Sequence, residues 1–317
     1  MASDFLAKGE QKGLLSRARR LIVWFTMHYI KTLVILKLIW MASWHTQEKC
    51  LAQDTPIKIQ HVGGAVYMLE GRGGNIAVSA GPDGLLIVDT QFADLASAIE
   101  TSLADMNQGK LKYVLNTHWH GDHTGGNAHF GEKATLIAHE KVRERLSGKS
   151  ETPSQALPVI TFRESASLHF NGEEIRMIHL GPGHTDGDVV IWFTESNVLH
   201  MGDQFFNGRF PFIDLGSGGN AEGYLKNVQT MLQHLPDEAK IIPGHGQLAT
   251  RENLQAFEAM MTESLNTVRQ AISLGKPLDQ LKASSPLEAY KAWGAGFINT
   301  SRWLDILYNS LTSATSP

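Results

Sequence analysis

A single cysteine, Cys50, occurs in 317 residues. No disulfide can form within the chain and no thiolate cluster can hold a metal, so any bound ion must take nitrogen and oxygen donors. Positive charge is not in excess either: 28 Lys and Arg stand against 32 Asp and Glu, a formal net charge of -4. No basic run follows residue 40, and the basic face expected of a nucleic-acid-binding surface is lacking. Long apolar runs are also missing. The most apolar stretch, Leu21 to Trp44, is interrupted by Lys31 and Lys37 and makes a poor transmembrane helix. Histidine, by contrast, is abundant: there are 14, in a chain whose 42% hydrophobic and 19% charged residues suit a sizeable globular core.

The apolar stretch follows Lys12, Arg17, Arg19 and Arg20 and precedes Cys50-Leu-Ala52. A basic segment, an apolar segment and a small-residue cleavage motif read as an export leader. Met27 is an alternative start, leaving His28 to Lys31 as the basic part. The expected division is residues 1–52 as a signal peptide or membrane-targeting segment and 53–317 as the folded domain. The expected location is the periplasm or the exterior, with an uncleaved membrane anchor as the alternative.

From Ile57 onward, short apolar runs alternate with turns and longer helical patterns. Gly64 to Leu69, Asn75 to Val78 and Leu85 to Asp89 read as strands, with Pro82-Asp-Gly84 turning between the last two. Leu95 to Met106 reads as a helix capped by Asp94. Lys112 to Leu115 and Thr135 to Ala138 are further strands, the latter leading into a helix from Glu140 to Leu146. Asn75 to Phe92 and Asp188 to Phe205 have equal length and the same plan of apolar run, polar turn, apolar run and closing Gln-Phe, which suggests an internal duplication. Helical patterns cover Ala221 to Leu235, Arg251 to Leu274 and Pro286 to Leu311. Interleaved strands and helices in each half predict two sheets facing each other inside outer helix layers.

The segment Asn116-Thr-His-Trp-His-Gly-Asp-His-Thr-Gly-Gly-Asn127 puts three histidines and an aspartate into six positions. It follows a strand directly. His118 and His120, two apart, project to one side of an extended segment, Gly121 relaxes the next bend, and Gly125 and Gly126 let a helix begin close by. A catalytic zinc usually takes three protein ligands, so four candidates here suggest two metals with partners elsewhere. Such partners stand at other strand-to-loop junctions: His184 in Gly181-Pro-Gly-His184, His245 in Pro243-Gly-His245-Gly246, and Asp203 in His200-Met-Gly-Asp203.

In that order these motifs resemble the metallo-β-lactamase superfamily, over about Ile57 to Leu274. The resemblance implies an αββα sandwich of two similar halves with a binuclear zinc site at one edge. His118, His120 and His184 would hold the first zinc. Asp122, His123 and His245 would hold the second, with Asp203 bridging or joining it. It implies a hydrolase in which zinc-activated hydroxide attacks the carbonyl of a small amide, lactone or (thio)ester, β-lactams included, with Asp122 orienting the nucleophile or taking its proton. The implied partner is a small carbonyl compound, with no nucleic acid and no membrane contact beyond an uncleaved N-terminal segment.

The commonest zinc β-lactamases carry cysteine at the position of Asp203 and lysine at that of Phe206, so this chain departs from them. Asp203 and Gly202 to Arg209 are closer to glyoxalase II, although no basic cluster after Leu274 suits glutathione. A di-iron oxidoreductase uses the same ligands, but no flavodoxin-like segment follows here. Trp119, Asn207 and Arg209 are candidates for touching substrate. His129, His139, His179 and His200 read as packing or hydrogen-bonding residues, and Asp89 as a structural acceptor.

Overall fold

The computed structural model describes residues 57–106 and 109–313; the leader expected over residues 1–52, with Cys50 and Ala52, lies outside them. Runs such as Leu85-Leu-Ile-Val88 have no polar face and must be covered on both sides. The fold covers such strands in two sheets. The first holds β1 (Lys58–Gly63), β2 (Val66–Glu70), β3 (Ile76–Gly81), β4 (Gly84–Val88), β5 (Leu111–Leu115), β6 (Thr135–His139) and β7 (Ile160–Phe162), in that spatial order. Its strands are antiparallel up to β4 and parallel from there on. The second holds β8 (Ser165–Phe170), β9 (Glu173–Ile178), β10 (Val190–Phe193), β11 (Val198–Phe206) and β12 (Lys240–His245), ordered β12-β11-β10-β9-β8. Only β11 and β12 pair in parallel there.

The helices are α1 (Ala96–Met106), α2 (Gly121–Thr124), α3 (Asn127–Phe130), α4 (Glu140–Ser147), α5 (Ala221–His234), α6 (Arg251–Ser273), α7 (Leu278–Ala283) and α8 (Thr300–Ser313). Met68, Leu86 and Val88 of the first sheet meet Ile175, Ile191 and Phe193 of the second in a core between the sheets. The other face of the first sheet is covered by α1 through Ile99 and Leu103. The other face of the second is covered by α5, α6 and α8, through Tyr224, Phe257 and Trp303. The layering is helix, sheet, sheet, helix, as expected. The two similar sequence stretches form hairpins β3–β4 and β10–β11, each of whose second strands pairs in parallel with the next strand along.

Some elements differ from the sequence reading. Strands β1, β7 and β8 were not expected; β9 is the strand expected before the His184 turn, although Glu173, Glu174 and Arg176 break its apolar run. Asp94 does not cap α1. It sits in a 3₁₀ turn, Ala93–Leu95, entered from Phe92, and binds Arg72 through both oxygens at 2.7 and 2.6 Å. The last helical pattern is broken: a 3₁₀ run over Glu288–Ala295 ends before α8, because Gly294 and Gly296 disfavour a continuous helix. Among the described residues no helix is long and apolar enough to cross a membrane.

Asn75 joins the two sheets where the candidate ligands gather. Its amide side chain donates to the carbonyls of Pro243 and Gly246, both at 2.9 Å. Its backbone N–H donates to Gly244 at 2.8 Å, and its carbonyl accepts from His200 Nε2 at 2.9 Å. Buried amide bonds of this kind leave unsatisfied carbonyls when one partner is removed. Asn75→Ala should therefore cost about 1–3 kcal/mol, read as a lower denaturant midpoint; an unchanged midpoint would show that the sheets do not depend on this junction.

Candidate metal centre

Strands β4 and β5 are parallel neighbours, as are β11 and β12, and the loops leaving their carboxyl ends meet at one edge, the usual place for a site in such sheets. Beyond β5, Asn116 and Asn127 exchange amide hydrogen bonds at 2.8 and 3.1 Å. Thr90 donates to the carbonyl of His123 at 3.0 Å. This buried network pins the histidine-rich turn. Gly121 itself has open space around it; the bend is closed by α2, which begins after His120.

Seven side chains converge. His118, His120, His184 and Asp203 offer ligand atoms that all lie within 4.8 Å of one another, and so do Asp122, His123 and His245. In the first group His120 Nδ1 is 3.2 Å from His118 Nε2 and 2.8 Å from His184 Nε2. In the second, Asp122 Oδ2 is 3.3 Å from His245 Nε2 and 3.7 Å from His123 Nε2. Asp203 stands between the groups. Its Oδ2 lies 3.4 Å from His184 Nε2, and its Oδ1 lies 3.1 Å from His123 Nε2 and 3.4 Å from His245 Nε2.

Asp203 reaches this place because β11 is irregular at Gly202. Gly202 has φ +52°, and a Cβ there would meet the Thr117 side chain at 2.7 Å. Only glycine takes that turn of the chain without strain. Tyr224 then fixes the backbone by donating its hydroxyl to the Asp203 carbonyl at 2.6 Å.

The outward nitrogens of four imidazoles are also occupied. His118 Nδ1 donates to Thr117 Oγ1 at 3.0 Å, and that hydroxyl donates to Asp89 at 2.7 Å. His123 Nδ1 donates to Asp89 at 2.8 Å, His184 Nδ1 to the Phe212 carbonyl at 2.7 Å, and His120 Nε2 to Asp214 at 3.0 Å. Each such bond sets the tautomer and turns the other nitrogen's lone pair into the site. Asp89 is the acceptor expected of it, held at φ +67°. His245 instead stacks on Phe206, ring centroids 5.0 Å apart.

The charges are coupled. Burial works against an ionised Asp203, but the imidazoles of His123, His245, His184 and His118 outweigh it and hold the carboxyl well below the usual range. Burial also opposes protonation of His123 and His245. The carboxylates prevail: Asp203 and Asp89 raise His123 well above its ordinary value, and Asp203 and Asp122 raise His245 to about 9. His118 and His184 are held down by burial, His184 to about 4. His123 Nε2 and Asp203 Oδ1 are buried and face each other without a hydrogen bond. Buried polar atoms aimed into one gap, with only nitrogen and oxygen donors around it, fit a divalent cation of the zinc, iron or manganese type.

Beside the two groups lies a cavity of about 500 Å³, reached by His120, Asp122, Asp203 and His245. Its apolar walls are Phe92, Phe206, Phe210, Phe212, Phe297 and Ile298, and Arg209 lies among them. Of the three substrate-contact candidates only Arg209 lines this cavity. Trp119 packs toward α4 against Ala138, Val142 and Leu146, under the cation of Lys149 at 4.3 Å. Asn207 braces the loop of His245, donating to the Gln247 carbonyl at 3.0 Å. His129 pairs with Glu100, His139 stacks on His179, and His200 holds Asn75 and Gly202, all away from the lone pairs of the site. Sequence reasoning missed Asp214 and the aromatic wall. Asp214 also caps the 3₁₀ turn Leu215–Ser217, so its local pattern gives only that structural role.

The family model described as the metallo-beta-lactamase superfamily matches residues 62–245. A hydroxyacylglutathione hydrolase of Methylococcus capsulatus is 28% identical over 190 residues, 53% of this chain and 67% of that protein. A metallo-beta-lactamase type 2 of Bacteroides fragilis is 20% identical over 182 residues, 57% of this chain and 72% of its own. A solved metallo-beta-lactamase from Pontibacter korlensis superposes with a TM-score of 0.58 at 16% identity, over 65% of this chain and 99% of its own. The chain spans 67% of the length of the Methylococcus capsulatus protein and 51% of that of a hydroxyacylglutathione hydrolase of Nitrosococcus oceani.

The proton balance gives a pH dependence for the metal-free chain. His245 rises in the fold from 6.5 to about 9; its contribution to stability is complete below about pH 6.5 and lost as pH rises through about 9. His123 acts in the same sense. Chelator-stripped protein should lose denaturation free energy between pH 6.5 and 9, and a flat profile over that window would contradict the pairing of these imidazoles with Asp203.

Proposed function

The chain belongs to the metallo-beta-lactamase superfamily, and we propose that it is a binuclear zinc hydrolase acting on a small amide, lactone or (thio)ester. The observation that carries this reading is the Asp203 carboxylate, which presents one oxygen to each group of histidines. His118, His120 and His184 would hold one ion and Asp122, His123 and His245 the other, with Asp203 shared between them. Bound divalent ions would supply Lewis acidity, bringing the pKa of water toward neutrality and polarising a carbonyl.

The chain's own groups do the rest. Asp122 keeps 27% of its side chain exposed against 5% for Asp203; of the two it is the carboxylate that can accept a proton from an attacking water. His118, His123 and His184 are fully buried and positioned by their outer hydrogen bonds, so the site is organised before substrate arrives, which is how electrostatic stabilisation gains its effect. The walls of Phe206, Phe210 and Phe212 exclude water from one side of the reacting bond.

The names of the relatives favour a second reading, a thioesterase of the hydroxyacylglutathione type. A di-iron oxidoreductase would use the same donors, and metal content separates it. We further propose that residues 1–52 direct export, on their basic and apolar succession alone; a mature N-terminus near Ala52 in the periplasmic fraction is the expected finding.

A panel of thioesters, lactones and β-lactams offered to the zinc-loaded protein tests the main reading. At least one class should be hydrolysed, with activity lost to a chelator and restored by zinc. Asp203→Ala should lower kcat at least ~100-fold, the scale for losing a group that stabilises developing charge. Full turnover by the chelated protein, or by the alanine variant, would refute the reading.

A further inference from the structure

The cavity beside the metal-ligand groups is apolar in a way that the chemistry of hydrolysis does not require. Phe297 is 74% exposed, yet it is not loose. It lies between the 3₁₀ run Glu288–Ala295 and α8, next to Ile298, which is only 2% exposed and packs in the core with Trp303. Its ring meets Phe212 edge-on at 6.3 Å. The Arg302 guanidinium covers both rings, 4.5 Å from Phe297 and 5.6 Å from Phe212. A single exposed aromatic is ordinary on a protein surface. Here it continues a wall of phenylalanines that runs down to His120 and Asp203, and such a surface is favourable only when an apolar group covers it.

Arg209 stands on the same wall. It lines both this cavity and an adjoining one of about 270 Å³ beside Glu70 to Asn75. Its side-chain stem runs past Gly296, where a Cβ would lie 3.6 Å away, so cation and aromatic wall are neighbours. Six other arginines pair with carboxylates: Arg72, Arg145, Arg163, Arg176, Arg251 and Arg269. Among the described residues Arg209 has no such partner. An exposed guanidinium can be satisfied by water alone; its position at the mouth of the reaction cavity is what gives it meaning. A planar cation there matches an anionic group in two-pronged geometry.

We propose that the site selects amphiphilic anions: acyl substrates whose aryl or long alkyl body lies on Phe297, Phe212 and Phe92 and whose single anionic group meets Arg209. The proposal rests on the hydrolase reading for the reacting bond, and it adds the substrate class. Phe297 and Ile298 lie beyond residue 245, outside the segment that matches the family model, whereas Phe92 and Phe212 lie within it, so the chain's C-terminal part supplies the outer end of this wall.

Two measurements on the full-length protein as purified test it. The first is calorimetric binding of 4-phenylbutyrate, its neutral amide and acetate. Phenylbutyrate should bind more tightly than either. Phe297→Ala should reduce the phenylbutyrate-to-acetate affinity ratio ~10-fold, the scale of losing one aromatic contact. Arg209→Ala should reduce the acid-to-amide ratio similarly, and Arg209→Lys should recover part of it. The second is the kcat/KM ratio for octanoyl over acetyl 4-nitrophenyl esters, which should fall ~10-fold in Phe297→Ala. Each readout is a ratio within one preparation, so partial misfolding cancels. Selective binding without zinc-dependent turnover of any ester, thioester, lactone or β-lactam would support the ligand class while refuting hydrolysis. Zinc-dependent ester cleavage with both variants' ratios unchanged would overturn the proposal and leave the hydrolase reading standing.

Discussion

A carboxylate that is 5% exposed among five imidazoles is expensive to bury, and the arrangement around Asp203 exists to offset that cost. Burying an ion becomes tolerable only when it is paired and its neighbours are themselves satisfied. The chain achieves this in rings. Asp203 is faced by histidine nitrogens, and the outward sides of those histidines are taken up by Asp89, Thr117, Asp214 and the Phe212 carbonyl. Removing any outer partner frees an imidazole to turn, and the shared carboxylate then loses the field that keeps it ionised. Two roles therefore share one set of bonds: they stabilise the buried charge and they aim lone pairs where a cation fits.

The fold makes this ring possible by bringing loop ends from both halves to one edge. The first sheet supplies the histidine-rich turn after β5 and Asp89 after β4. The second supplies His184 after β9, Asp203 within β11 and His245 at the end of β12. Neither half holds a complete set of partners. Asn75 and His200 tie the sheets together beside the site, so the relative position of the two sets is determined by hydrogen bonds as well as by the core between the sheets. This coupling links the stability of the junction to the geometry of the ligands.

Much of this was legible in the residues, for identifiable reasons. The turn His118 to His123 is contiguous, so its density of donors is visible without knowing the fold. His184, Asp203 and His245 each stand beside glycines near the end of an apolar run, a pattern that points to one sheet edge, although β11 continues past Asp203 to Phe206 and β12 includes His245. Strands like Leu85 to Val88 declare themselves by an unbroken apolar run. The missing parts depend on distance. Asp214 binds His120 across 94 positions, and nothing local separates such an acceptor from a helix cap. Phe297 is an aromatic beside glycines in a helical pattern, and only the break before α8 turns it toward the cavity. Trp119 lies between two ligands, yet alternation carries it to the opposite side, under Lys149.

The same logic divides the labour between common machinery and individual character. The donor ring and the inner phenylalanines lie within the part that matches the superfamily, residues 62–245, whereas Phe297 and Ile298 at the mouth of the cavity come from the C-terminal segment. The central claim is that Asp203 is shared by two ions, and anomalous diffraction at the zinc edge from zinc-grown crystals tests it most directly. Two peaks are expected, one within about 2.0–2.2 Å of His118, His120 and His184 donors and one equally near Asp122, His123 and His245, each with an Asp203 oxygen in its shell. A single peak, or two peaks of which Asp203 touches neither, would contradict the account.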